Sequence, residues 1–146
     1  MSLPGHPYYL TKNSASRGSD ILIRAPLPTT IISSLFWAME EGLWKMLGFV
    51  VMPDHFHVVV LLKSARTLSK IMESIDRFVG IKASKFGFGN LWQDGFHDHL
   101  IRPNEDVNRY LTYTHMNPVV KNLVEHPEGW PYSSAFEEYR EKVTWE

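Results

Sequence analysis

The stretch Leu47-Gly48-Phe49-Val50-Val51-Met52-Pro53-Asp54-His55-Phe56-His57-Val58-Val59-Val60-Leu61-Leu62 decides how the chain is read. Leu47 to Met52 is one apolar run, and His55 to Leu62 is a second, rich in valine. Pro53-Asp54 is a turn pair between them. Two β-prone runs around so short a break predict a hairpin. Side chains alternate along a strand, so His55 and His57 share one face while Phe56 points into the core. The Cα atoms of the two histidines then lie roughly 7 Å apart.

The flanks supply the remaining elements. On the N-terminal side, Tyr8 to Thr11 is a short β-prone run, and Asn13 to Asp20, rich in Ser, Gly and Asn, reads as a loop. Ile32, Leu35, Phe36, Met39, Leu43 and Leu47 recur at helical spacing, which predicts a helix from Thr29 or Thr30 to Met46. On the C-terminal side, Leu68, Ile71, Ile75, Phe78 and Val79 form the inner stripe of a helix over Thr67 to Phe86, ended by Gly87, Gly89 and Asn90. Leu91 to Arg102 reads as a strand region. Pro103 to Asp106 opens a further helix, with Asn104 as its cap. Pro118 is expected to end or bend that helix near Asn117. The tail from Trp130 reads as a turn and then a short helix. The order β-α-β-β-α-β plus C-terminal helices predicts an α+β, ferredoxin-like sandwich. It is an antiparallel sheet with helices on one face, a single domain over residues 1–146. That fold hosts unrelated functions, so the site must decide.

Composition narrows the classes. The chain has 146 residues, 44% hydrophobic and 13% aromatic, enough for a sizeable core. No apolar run approaches the length of a membrane span, and the first residues lack the layout of a signal peptide. With no cysteine, disulfides, thiolate nucleophiles and Cys-based zinc sites are all excluded. A cytoplasmic location is the default expectation. The formal net charge of −1 offers no broad basic surface for phosphates. From Lys63 to Lys85, however, Lys63, Arg66, Lys70, Arg77, Lys82 and Lys85 face only Glu73 and Asp76. Lys70, Arg77, Lys82 and the nearby Trp92 are therefore candidate contacts to nucleic acid.

Two histidines side by side on a strand make half of a metal site. His97 and His99 repeat the pattern and add two possible ligands, which would suit zinc. Tyr110, Tyr113 and Asn117 sit at i, i+3 and i+7, one stripe of a helix. A tyrosine hydroxyl, with a pKa of about 10, is a poor nucleophile at neutral pH unless a divalent cation polarises its target. Asn117 can offer an amide oxygen as third ligand, a set acceptable to Mg²⁺ or Mn²⁺.

Four segments resemble those of REP-associated tyrosine transposases, one-tyrosine members of the HUH superfamily. They are Met52-Pro53-Asp54-His55-Phe56-His57, Leu91-Trp92-Gln93, Tyr113-Thr114-His115-Met116-Asn117-Pro118-Val119 and Trp130-Pro131-Tyr132-Ser133-Ser134. They occur in the family's order over about residues 48 to 135. The resemblance implies an HUH domain acting on single-stranded or hairpin DNA with Mg²⁺ or Mn²⁺. It places the metal on His55, His57 and Asn117, and the nucleophile on Tyr113 rather than Tyr110. It implies cleavage and rejoining through a 5′-phosphotyrosine, by a monomer or a homodimer. Asp54 replaces the family's usual asparagine and can serve as an outer partner to a histidine ligand. Val120-Lys121-Asn122-Leu123-Val124 departs from the family's small-residue turn. Two rivals stand beside this reading. One is a non-catalytic nucleic-acid-binding domain, since similar sheets bind RNA. The other is a metal-dependent phosphodiesterase using His55, His57, His97 and His99.

Overall fold

A computed structural model describes residues 3–143. Strand β1 (Pro7–Asn13) leads through a loop and a 3-10 turn (Ile21–Ile23) into helix α1 (Leu27–Glu40). The hairpin β2 (Trp44–Val51) and β3 (His55–Leu62) follows, then helix α2 (Leu68–Lys85) and strand β4 (His97–Leu100). Helix α3 (Val107–Val120) and a 3-10 turn (Pro127–Gly129) complete the regular elements. The sheet order is β2-β3-β1-β4, with every pairing antiparallel. This is the expected α+β ferredoxin-like arrangement.

β3 is sandwiched on both sides. Phe56, Val58 and Val60 pack with Ile71, Ile75 and Val79 of α2 and with Ile31 and Leu35 of α1. Val59 faces the other way, onto Leu111 and Tyr110 of α3. The helices thus lie on both faces of the sheet, whereas the sequence suggested one covered face with additional C-terminal helices. α3 covers the face that carries His55 and His57.

Local chemistry explains where elements end. α1 stops at Glu40, six residues before the expected Met46. Gly42 takes φ +74°, its N–H bonds the Met39 carbonyl at 3.0 Å, and the Leu43 N–H bonds the Ala38 carbonyl at 3.0 Å. That pair of bonds closes the helix around a left-handed residue. The apolar rhythm runs on through Leu43 and Leu47 because β2 is buried on both faces. α2 ends identically at Gly87 (φ +82°) and begins at Thr67, whose side chain accepts from the Lys70 N–H.

In α3 the cap is Asp106, which accepts from the Asn108 N–H, and not Asn104. Pro118 does not stop the helix. It removes one N–H, yet the carbonyls of Asn117 and Pro118 still accept from Lys121 and Leu123, and the end falls at left-handed Asn122. The expected strand from Leu91 to Arg102 shrinks to His97–Leu100 plus a bridge from Trp92 to Ser14. Between them the chain loops over the buried Lys12 ammonium, which takes the carbonyls of Gln93 and Gly95 at 2.7 and 2.6 Å.

The tail forms no regular helix among the described residues. Instead Ser133 bridges to Val50, and Tyr132 and Ser134 exchange backbone bonds with Val51 and Phe49 along the free edge of β2.

Candidate functional site

The register places the site residues. Thr11 of β1 lies opposite His57 on one side and His97 on the other, and Tyr9 lies opposite Val59 and His99. Tyr9, Thr11, His55 and His57 therefore line one face, under α3. The imidazole rings of His55 and His57 sit 4.7 Å apart, centroid to centroid. Both expected histidines are brought together.

Each imidazole is held at Nδ1. His55 Nδ1 lies 2.8 Å from Asp54 Oδ1. Asp54 is itself fixed, because its Oδ2 accepts from the Gly18 N–H at 2.7 Å and from Arg17 Nε at 3.2 Å. Partial burial works against the Asp54 charge, but these donors outweigh it and hold the carboxyl down at about 2. A carboxylate accepts only, so Nδ1 of His55 carries a hydrogen and, in the neutral ring, Nε2 holds the lone pair. His57 Nδ1 lies 2.9 Å from both Tyr9 Oη and Thr11 Oγ1. Burial first, and His55 second, push the His57 ring down to about 3, so it is neutral at physiological pH. Neither Nε2 has a hydrogen-bond partner among the described residues.

α3 brings the tyrosines over this pair. The Tyr113 ring lies 6.2 Å from that of His57 and 6.1 Å from that of Tyr9. Tyr113 is 57% exposed, and its hydroxyl has no hydrogen-bond partner among the described residues. Tyr110 differs. Its hydroxyl donates to Glu105 Oε2 and lies 2.9 Å from His99 Nε2. The Glu105 bond comes first in raising the Tyr110 phenol. The same i, i+3 stripe thus holds one engaged hydroxyl and one free one. Asn117, one turn after Tyr113, is 5% exposed, and its amide makes no hydrogen bond to another described residue.

The second histidine pair does not join the first. β1 separates them, His97 is exposed, and His99 is tied to Glu105 and Tyr110. No three His, Cys, Asp or Glu side chains among the described residues are grouped to hold a metal, which removes the four-histidine zinc set. A set of His55, His57 and Asn117 draws its third donor from an amide and is of another kind. Two imidazoles fixed through Nδ1 with Nε2 free, and a buried Asn117 amide one turn from Tyr113 on the helix that covers them, offer N and O donors that fit a divalent cation.

The basic candidates lie elsewhere. Lys70, Arg77 and Lys82 are exposed on α2, across the sheet from Tyr113. Trp92 is half-buried, donates to the Asp76 carbonyl at 3.1 Å, and packs on Phe56.

Several supports were missed in the sequence. Ser134 Oγ accepts from the Phe49 N–H at 2.9 Å and bonds His115 Nε2 at 2.6 Å, which ties α3 to the tail motif. Trp130 Nε1 donates to the Val51 carbonyl at 2.8 Å. Tyr9 and Thr11 carried a period-2 signal within their β-prone run, but nothing local named their partner. The sheet face under α3 is also no open platform, since Val59 is fully buried there.

No family model matches the chain. A provisionally named REP-associated tyrosine transposase of Haemophilus influenzae is 25% identical over 120 residues, 71% of this chain and 66% of that protein. The REP-associated tyrosine transposase of Escherichia coli K12 is 25% identical over 141 residues, 90% of this chain and 78% of that protein. A REP-associated tyrosine transposase solved with a REP hairpin superposes with a TM-score of 0.77 at 23% identity, covering 92% of this chain and 79% of that one. A provisionally named transposase from Deinococcus radiodurans gives 0.56 at 14% identity, over 80% and 89%. In sequence, and in a fold shared with the hairpin-bound protein, this chain resembles the REP-associated tyrosine transposases.

Proposed function

We propose that the chain is a metal-dependent nickase and strand transferase of the tyrosine transposase type, acting on single-stranded DNA beside a hairpin. One observation carries the reading: the free Tyr113 hydroxyl stands on α3 over two imidazoles whose Nε2 atoms are both open. The names of the relatives, and the hairpin bound to the solved one, support it.

Mg²⁺ or Mn²⁺ would be held by His55, His57 and Asn117, and would polarise the scissile phosphate. Tyr113 does the bond-making. Its Oη attacks phosphorus, the bond to the 3′ oxygen breaks, and the phosphate stays on Tyr113 as a 5′-phosphotyrosine. The phenol proton passes to water, and the departing 3′ oxygen takes one up. The 3′-OH can reverse the step, so strands are exchanged without ATP. Asp54 holds His55 in place. Lys70, Arg77, Lys82 and Trp92 remain the proposed DNA contacts, at a distance from the chemistry. All these parts come from one chain, over residues 1–146 as a single domain, so a monomer suffices. No described helix is long and apolar enough to cross a membrane, and we place the protein in the cytoplasm with its DNA.

The test is incubation with labelled single-stranded DNA carrying imperfect hairpins from the gene's own surroundings, with Mn²⁺, followed by a denaturing protein gel. A labelled adduct, lost with EDTA and in Tyr113→Phe, is the expected result. Cleavage without an adduct, surviving in Tyr113→Phe, would overturn the proposal in favour of a phosphodiesterase.

A further inference from the structure

The loosely matching N-terminal strand supplies a function of its own. We propose that Tyr9 and Thr11 are positioning residues that set the tautomer and ring plane of His57, so that Nε2 is held outward as a lone-pair donor. For its metal this rests on the function proposed above; for the tautomer it rests on geometry alone.

The geometry has three parts. Two hydroxyl oxygens, Tyr9 Oη and Thr11 Oγ1, both stand 2.9 Å from His57 Nδ1. The Tyr9 ring is stacked on the imidazole at 5.1 Å with an interplanar angle of 19°, which fixes the plane. Nε2 has no hydrogen-bond partner among the described residues. With both hydroxyls accepting at Nδ1, the hydrogen sits on Nδ1 and Nε2 keeps its lone pair. An imidazole in water favours the opposite tautomer, whose hydrogen on Nε2 bars that nitrogen from ligating. The nitrogen that bears hydrogen is set by the partner of the other. His55 reaches the same state by another route, through the Asp54 carboxylate.

Using hydroxyls for His57 has a reason in its burial. His57 is 7% exposed, against an intermediate His55. A carboxylate placed there would carry an unpaired buried charge, whereas hydroxyls accept without one. Tyr9 adds a second contact, to the Tyr113 ring at 6.1 Å. One side chain therefore touches both the ligand and the nucleophile.

The experiment reads histidine ¹⁵N shifts in the metal-free protein, with His57 assigned by His57→Gln. The expected wild-type state is hydrogen on Nδ1 and a bare Nε2. In Tyr9→Phe/Thr11→Val, His57 shifts toward the Nε2–H form while His55 does not. Mn²⁺ affinity, measured by calorimetry on a Tyr113→Phe background, falls about 10- to 100-fold. Hydrogen on Nε2 in the wild type, or a double variant with unchanged tautomer and Mn²⁺ affinity, would overturn the proposal. Should the double variant not fold, the wild-type tautomer and Tyr9→Phe alone decide it. A wild type with Nδ1–H that binds no Mn²⁺ would sustain the positioning role and overturn the metal-dependent function instead.

Discussion

At the scale of single residues, the stripe of α3 separates two tyrosines that spacing alone could not. Tyr110 is engaged by Glu105 and His99, and Tyr113 is free. Tyr110→Phe is therefore expected to keep adduct formation on the labelled-DNA gel, while Tyr113→Phe loses it entirely. Glu105 gives a pH prediction. The Arg102 N–H, then the Tyr110 hydroxyl, hold its carboxyl at about 2, below its ordinary 4.5. The folded value is depressed, so its stabilising contribution is full above 4.5 and is lost as pH falls toward 2. Side-chain carboxyl ¹³C shifts should show Glu105 titrating near 2, and Tyr110→Phe should move that midpoint upward. The histidine pair was legible because a period of two is a local property. Tyr9 and Thr11 were not, because their pairing with His57 joins positions 46 and 48 apart and depends on register.

At the scale of elements, β2 and α3 approach each other closely at Gly48. A Cβ built on Gly48 meets Leu111 Cδ2 at 2.7 Å and the Ser134 hydroxyl at 3.4 Å. Gly48→Val should push α3 off the sheet and cost about 1–3 kcal/mol in urea unfolding. Adduct formation should fall more than the stability loss explains, since Tyr113 rides on that helix. Ser134→Ala takes away the acceptor of the buried Phe49 N–H, and is expected to cost about 1–3 kcal/mol in the same assay. Element types were largely readable, since hairpin and helices follow periodicity. The ends were less so. Gly42 ends α1 by a backbone device that the apolar spacing of Leu43 and Leu47 conceals, and Lys12 of β1 binds the loop that precedes β4.

For the molecule as a whole, Lys12 ties three parts together. Its ammonium pairs with Asp76 of α2 at 3.0 Å, takes two carbonyls of the Trp92 loop, and lies 5.6 Å over the Trp92 ring. Lys12→Met leaves a largely covered carboxylate without its cation and should cost about 3 kcal/mol or more by chemical denaturation. No sequence signal reveals that pair, because a lysine at a β position reads as solvent-facing. The tail was the other illegible part. Trp130 to Ser134 was recognisable as a motif, yet its task of bordering β2 and holding His115 appears only once the chain is folded. That border also sets a timetable. Translation delivers β1 first and this segment late, so α3 meets Ser134 only after the whole sheet has been made. A nascent chain thus displays its two histidines well before its tyrosine is fixed above them.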